Sequence, residues 1–136
     1  MPDPPRLRTS ERGWIRYRPF HLDGAAYGGL KGNARGWAPL LRAIARADPR
    51  LLPARSYARW FEPQPLASGK PSGLALAWFT GTLGGHEFRC HAGGGPGYGA
   101  EIRVYPSLGA ASMLVTNTTI VRDLRLLDRL DPHWLG

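Results

Sequence analysis

The period of apolar residues changes partway along this chain. Trp37, Leu40, Leu41, Ile44 and Ala45 recur at helical spacing and would share one face of a helix. Asn33 suits its N-cap. Pro39, a turn and a half inside, predicts a kink or a late start, and Asp48-Pro49 ends the helix. Pro53 fits the first position of a short second helix holding Tyr57, Trp60 and Phe61. Glu62 to Gly73 is punctuated by proline and glycine and predicts a loop. Alternation then takes over. Leu74–Thr80 reads as one strand with both faces mostly apolar. Residues 86–91 read as a second, with Phe88 and Cys90 on one face and Glu87, Arg89 and His91 on the other. Residues 99–105 read as a third, with Ala100, Ile102 and Val104 inward and Glu101, Arg103 and Tyr105 outward. Ala110–Thr116 reads as a fourth, apolar on both faces and so central. Thr118 or Thr119 would cap a last helix striped by Val121, Leu124, Leu127 and Leu130. Short turns between strands imply an antiparallel meander. The expected fold is α+β: an antiparallel sheet of three to four strands flanked by helices. Residues 1–23 form an irregular Pro/Arg-rich lead-in, and 24–136 form one partial domain.

Composition narrows this picture a little. The 136 residues suffice for one core, and 43% hydrophobic with 21% charged residues is ordinary for a globular chain. Net charge is +8, and of the 18 basic residues all but Lys31 and Lys70 are arginine. They are scattered, apart from Arg12-Gly-Trp-Ile-Arg16-Tyr17-Arg18, and no nucleic-acid motif accompanies that cluster, so no specific nucleic-acid partner is expected. Cys90 stands alone, which excludes a disulfide framework and a thiolate zinc site. His21, His86, His91 and His133 show no metal spacing, so no metal or cofactor is implied. No stretch of 18 apolar residues spans a membrane, and Met1 to Arg6 leads into no signal core. The chain therefore reads as cytoplasmic by default.

Candidate chemistry concentrates in His91-Ala92-Gly93-Gly94-Gly95-Pro96-Gly97-Tyr98-Gly99. Glycine lets a backbone approach another group closely. A glycine run at a strand end can bring main-chain N–H groups to a substrate oxygen. No Gly-Lys-Ser/Thr follows, so it is not a phosphate-binding Walker loop. A strand rather than a helix follows, so it is not a dinucleotide fingerprint. A plain hairpin loop is the other reading.

The run His91 to Pro106, then a short turn, an apolar strand and Thr116-Asn117, resembles the C-terminal portion of the serine β-lactamase-related hydrolases. That family includes class C β-lactamases, D-alanyl-D-alanine carboxypeptidases and related esterases. Tyr27-Gly-Gly-Leu30, the helix, the Pro-rich stretch and Gly73 to Trp78 fit its order of elements. The resemblance covers about residues 24–130. It implies that His91-Ala92-Gly93 is the third active-site motif, Lys-Thr-Gly or His-x-Gly in the family, on the strand bordering the site. It also implies that Gly94 supplies a main-chain oxyanion donor. His91 would shape or polarise the leaving side of the substrate. Ala92 departs from the hydroxyl-bearing variant.

The family's nucleophile is missing. Its motif is Ser-x-x-Lys, but the residues three after the six serines here are Gly13, Arg59, Pro71, Ala75, Ala110 and Val115. Ser56-Tyr-Ala-Arg59 comes closest, and arginine cannot act as a base. Nothing in 1–24 matches Tyr-x-Asn, and Tyr105-Pro106-Ser107 reads as a turn. The resemblance thus implies a truncated or split hydrolase, inactive alone. A separately encoded N-terminal half would be its partner, and a small acyl compound its substrate once completed. The other readings are a non-catalytic binding module with a basic surface, or a degenerate fragment.

Overall fold

A computed structural model describes residues 28–95, 97–117 and 125–136, with the backbone of 6–9 and 13–16. Strands β1 (Arg6–Thr9) and β2 (Gly13–Arg16) pair antiparallel as a ribbon inside the stretch expected to be irregular. Among the described residues, helices α1 (Ala34–Ala45) and α2 (Ala54–Phe61) follow. Then come β3 (Gln64–Pro65), β4 (Pro71–Ala75), β5 (Trp78–Leu83), β6 (His86–Gly95), β7 (Tyr98–Tyr105) and β8 (Ala110–Thr116). Helices α3 (Leu127–Leu130) and α4 (Pro132–Leu135) close the chain.

The sheet has six antiparallel strands in chain order β3 to β8, which corrects the expected three to four. Two local features account for the difference. The supposed loop 62–73 contains β3 and the start of β4, turning at Leu66–Lys70, where Leu66 N–H donates to Lys70 C=O (2.8 Å). Pro65 and Pro71 suit this margin, since proline is tolerated on edge strands. The supposed single strand Leu74–Thr80 is a hairpin. Ala75 pairs with Trp78, and the chain reverses at Leu76-Ala77, with Ala77 at φ 61. That conformation ordinarily calls for glycine or asparagine.

Helix α1 begins at Asn33, whose side chain accepts from Gly36 N–H (2.9 Å), so Pro39 neither delays nor ends it. Leu41, Ile44 and Ala45 are buried at the expected spacing. Ile44 and Ala45, with Ala75, Trp78 and Val104, form the apolar core on one face of the sheet, flanked by Leu40, Trp60, Phe61, Ile102 and Ala111. Arg89, on that same face, is buried rather than solvated. Its Nε donates to Phe61 C=O (2.8 Å) and ties β6 to the end of α2.

The opposite face also corrects an expectation. Glu101, Arg103 and Tyr105 do not face water: all three are buried, Arg103 and Tyr105 completely. The C-terminal helices cover them. Arg103 Nη2 donates to Glu101 and to Asp128, each at 2.7 Å, and its guanidinium lies 4.1 Å over the Phe88 ring. Asp131 accepts from Tyr105 (2.6 Å), Ser112 (2.9 Å) and Trp134 (3.2 Å). The expected caps Thr118 and Thr119, with Val121 and Leu124, lie outside the described residues. Of the expected stripe, Leu127 is buried and Leu130 is exposed.

Candidate active site

The glycine run is strand, not loop. Strand β6 continues from His86 through His91-Ala92-Gly93-Gly94 to Gly95. Its partners on β7 are Ile102 for His91, Glu101 for Ala92, Ala100 for Gly93, Gly99 for Gly94 and Tyr98 for Gly95. The reversal takes two residues, with Gly97 at φ 80. Gly95 accommodates the Tyr98 ring, which a Cβ there would meet at 2.7 Å.

Register decides which main-chain groups are available. In an antiparallel ladder, alternate residues bond to alternate neighbours. The two-residue reversal makes Gly95↔Tyr98 a hydrogen-bonded pair. Counting back, Gly93 and His91 bond to β7, while Gly94 and Ala92 direct N–H and C=O the other way. The hairpin from Leu83↔His86 gives the same phase at Cys90. On that other side β5 pairs only as far as Phe79↔Cys90 before turning into β4. Among the described residues, no strand pairs with β6 beside Ala92 and Gly94.

This edge can donate to an oxygen, but it cannot complete an oxyanion hole. Residues two apart on a strand lie about 7 Å apart, so the N–H groups of Ala92 and Gly94 cannot meet one atom. A second donor has to come from another segment. His91 is exposed and sits 6.4 Å, centroid to centroid, from the half-exposed Phe79 ring. Gly93 is open, with nothing within 4 Å of where a Cβ would stand.

Among the described residues no nucleophile joins these groups. Cys90 precedes His91, but burial pushes its thiol pKa up, which keeps it protonated and weakly nucleophilic. Tyr105 is committed to Asp131, and Pro106–Leu108 is a 3-10 turn, as the reading of Tyr105-Pro106-Ser107 expected. Ser56 lies on α2, with Arg59 rather than lysine three residues on. Among the described residues no group of three His, Cys, Asp or Glu side chains could hold a metal ion. Two clefts, of about 380 and 430 Å³, flank α1 and reach neither His91 nor Gly94. The glycine strand is therefore one wall without a facing wall. Sequence reasoning placed Gly94 by analogy of motif. Its outward N–H, and the fact that β6 itself offers no second donor to the same atom, follow only from register. Of the cluster Arg12 to Arg18, residues 13–16 are the backbone of β2 while Arg12, Tyr17 and Arg18 lie outside the described residues, and among those described no helix is long and apolar enough to cross a membrane.

No family model matches the chain, and no solved structure matches it. Over 100 residues, 71% of this chain, it is 40% identical to "Unguisins hydrolase ungD'" of Aspergillus campestris (strain IBT 28561). That stretch is 18% of the relative, so the chain spans less than a fifth of the protein it matches and is similar there to part of a hydrolase.

Proposed function

We propose that this chain is one part of a serine hydrolase of the β-lactamase-related type. It supplies the His91-Ala92-Gly93 motif and the Gly94 oxyanion donor, and it does not hydrolyse by itself. The observation that carries the reading is the outward-facing main chain of Ala92 and Gly94 on an unpaired stretch of β6. Similarity to part of a much longer hydrolase supports it. In this reading an acyl carbonyl sits against Gly94 N–H, and attack by a serine from another polypeptide segment places negative charge on its oxygen. A fixed N–H aimed there lowers the barrier by ~3 kcal/mol. His91 borders the leaving side. The serine, its activating lysine and the second donor come from outside this chain, and the substrate class is a small ester, peptide or β-lactam.

The test is complementation. The Aspergillus relative with its matching segment deleted is supplied with this chain and assayed on a p-nitrophenyl ester and a chromogenic β-lactam. Hydrolysis well above either component alone is expected. Gly94→Pro removes the N–H without touching the β7 ladder, and it should cut that gain by about a hundredfold. Hydrolysis by the chain alone, or a gain that Gly94→Pro leaves intact, overturns the reading.

A further inference from the structure

The sheet's two margins are built differently. Strand β3 is two residues long and contains Pro65, a blunted edge of the kind that resists pairing. Strand β8 is seven residues, Ala-Ala-Ser-Met-Leu-Val-Thr, with no charge and no proline. It pairs with β7 on one side and with no described strand on the other. The ladder phase carries across β7: residues 99, 101, 103 and 105 bond to β8, so their partners 116, 114, 112 and 110 are engaged. Ala111, Met113 and Val115 therefore turn N–H and C=O to the open margin.

Beside that margin runs a cleft of about 430 Å³ between α1 and β8. Its lining includes Leu41, Arg42, Arg46, Ala111 and Met113, and no acidic side chain. Arg42 and Arg46 are both exposed and form no ion pair with any described residue. Two such margins brought together would set four arginines side by side, which disfavours a second copy of this chain. An extended segment carrying carboxylates suits the same place.

We propose that β8 is a docking edge for an extended acidic segment of another polypeptide. The segment adds as a seventh strand through the main chain of Ala111, Met113 and Val115. Its Asp or Glu side chains, at alternate positions, pair with Arg42 and Arg46. The surface is separate from the glycine strand, and the proposal stands whether or not the hydrolase reading does.

A fluorescein-labelled nine-residue peptide of alternating valine and glutamate, titrated with the whole chain and followed by anisotropy, tests it. Saturable binding is expected. Arg42→Glu with Arg46→Glu, both exposed, on α1 and just past its end, should weaken it at least about tenfold. The peptide N-methylated on the residues facing β8 should not bind, and this control leaves the protein untouched. Met113→Pro, which removes an outward N–H and leaves the main-chain bonds to β7 in place, should abolish binding with the far-ultraviolet spectrum unchanged. Absence of binding overturns the proposal. So does binding that N-methylation does not affect, which would be plain charge attraction. A dimer of the chain that Met113→Pro converts to monomer also overturns it, because the edge would then serve a second copy.

Discussion

The two faces of the sheet are held to their helices by different physics. On one, α1 and α2 press Leu40, Ile44, Ala45, Trp60 and Phe61 toward Ala75, Trp78 and Val104. On the other, the short α3 and α4 are held through Arg103, Glu101, Asp128, Asp131 and Tyr105. The helix starts differ in the same way. Helix α1 carries its own cap in Asn33, whereas Leu127 N–H at the start of α3 donates to Glu101 Oε2 on the sheet (3.1 Å). The first helix has twelve residues and can bring its own hydrophobic stripe. The later ones have four each, too few to form without tertiary support. Burial disfavours the Arg103 charge, but its bonds to the carboxylates of Asp128 and Glu101 outweigh that and hold its pKa above the ordinary value. An ionic face is thus directional and all-or-none, while an apolar face degrades by degrees.

The largest expected effect breaks the ionic face. Arg103→Met strands Glu101 and Asp131 in a buried site, and it should cost about 3–5 kcal/mol in urea unfolding. Replacing Glu101 by Gln and Asp131 by Asn in the same chain should recover part of that loss, because the penalty lies in the unpaired charges. If the single variant unfolds like wild type, the ionic face is not what fastens α3 and α4. The apolar face should yield less per residue. Val104 is fully buried beneath α1, and Val104→Ala should cost roughly 2 kcal/mol, with the remaining contacts intact. A loss equal to that of Arg103→Met would erase the distinction between the faces.

The sequence announces the apolar face far better than the ionic one. Helix α1, its cap and its buried positions are legible because helical periodicity and a capping residue are local signals. Glu101, Arg103 and Tyr105 alternate with Ile102 and Val104, which is the same pattern a solvated face would show. Only the acids of 128 and 131, some 25 residues on, turn that face inward. The hairpin at Leu76-Ala77 is hidden for a related reason. Ala77 takes a left-handed conformation without the glycine or asparagine that marks such turns, so two apolar strands read as one. The glycine run was legible as unusual but not as strand, because glycine carries no alternation. What makes Gly94 a candidate donor is its register against β5 and β7, and register is a long-range property.

Smaller effects sharpen the comparison of the helix starts. Asn33→Ala removes a local cap and should cost about 1 kcal/mol. It should lower the midpoint for the apolar face without altering the environment of Trp134, which reports on α4 as its own resonance in fluorine NMR of the 5-fluorotryptophan-labelled chain. A change at Trp134 would mean that the two faces unfold as one unit coupled through the sheet.

A change of comparable size at neutral pH probes the ionic face by titration. Burial, with the hydrogen bond to Asp131, pushes the Tyr105 phenol up to about 12. A raised pKa means that folding favours the protonated phenol. Its contribution is complete below pH 10 and is lost as pH climbs from 10 through 12. The wild type should therefore lose stability across that window, with one tyrosine ionising late in absorbance at 295 nm. Tyr105→Phe should cost about 1–2 kcal/mol at pH 7, since Asp131 keeps Ser112 and Trp134 as donors. The same variant should lose the late-ionising phenol and most of the alkaline slope. If the slope persists in Tyr105→Phe, it comes from another group, and the polar face is not what gives way first in alkali.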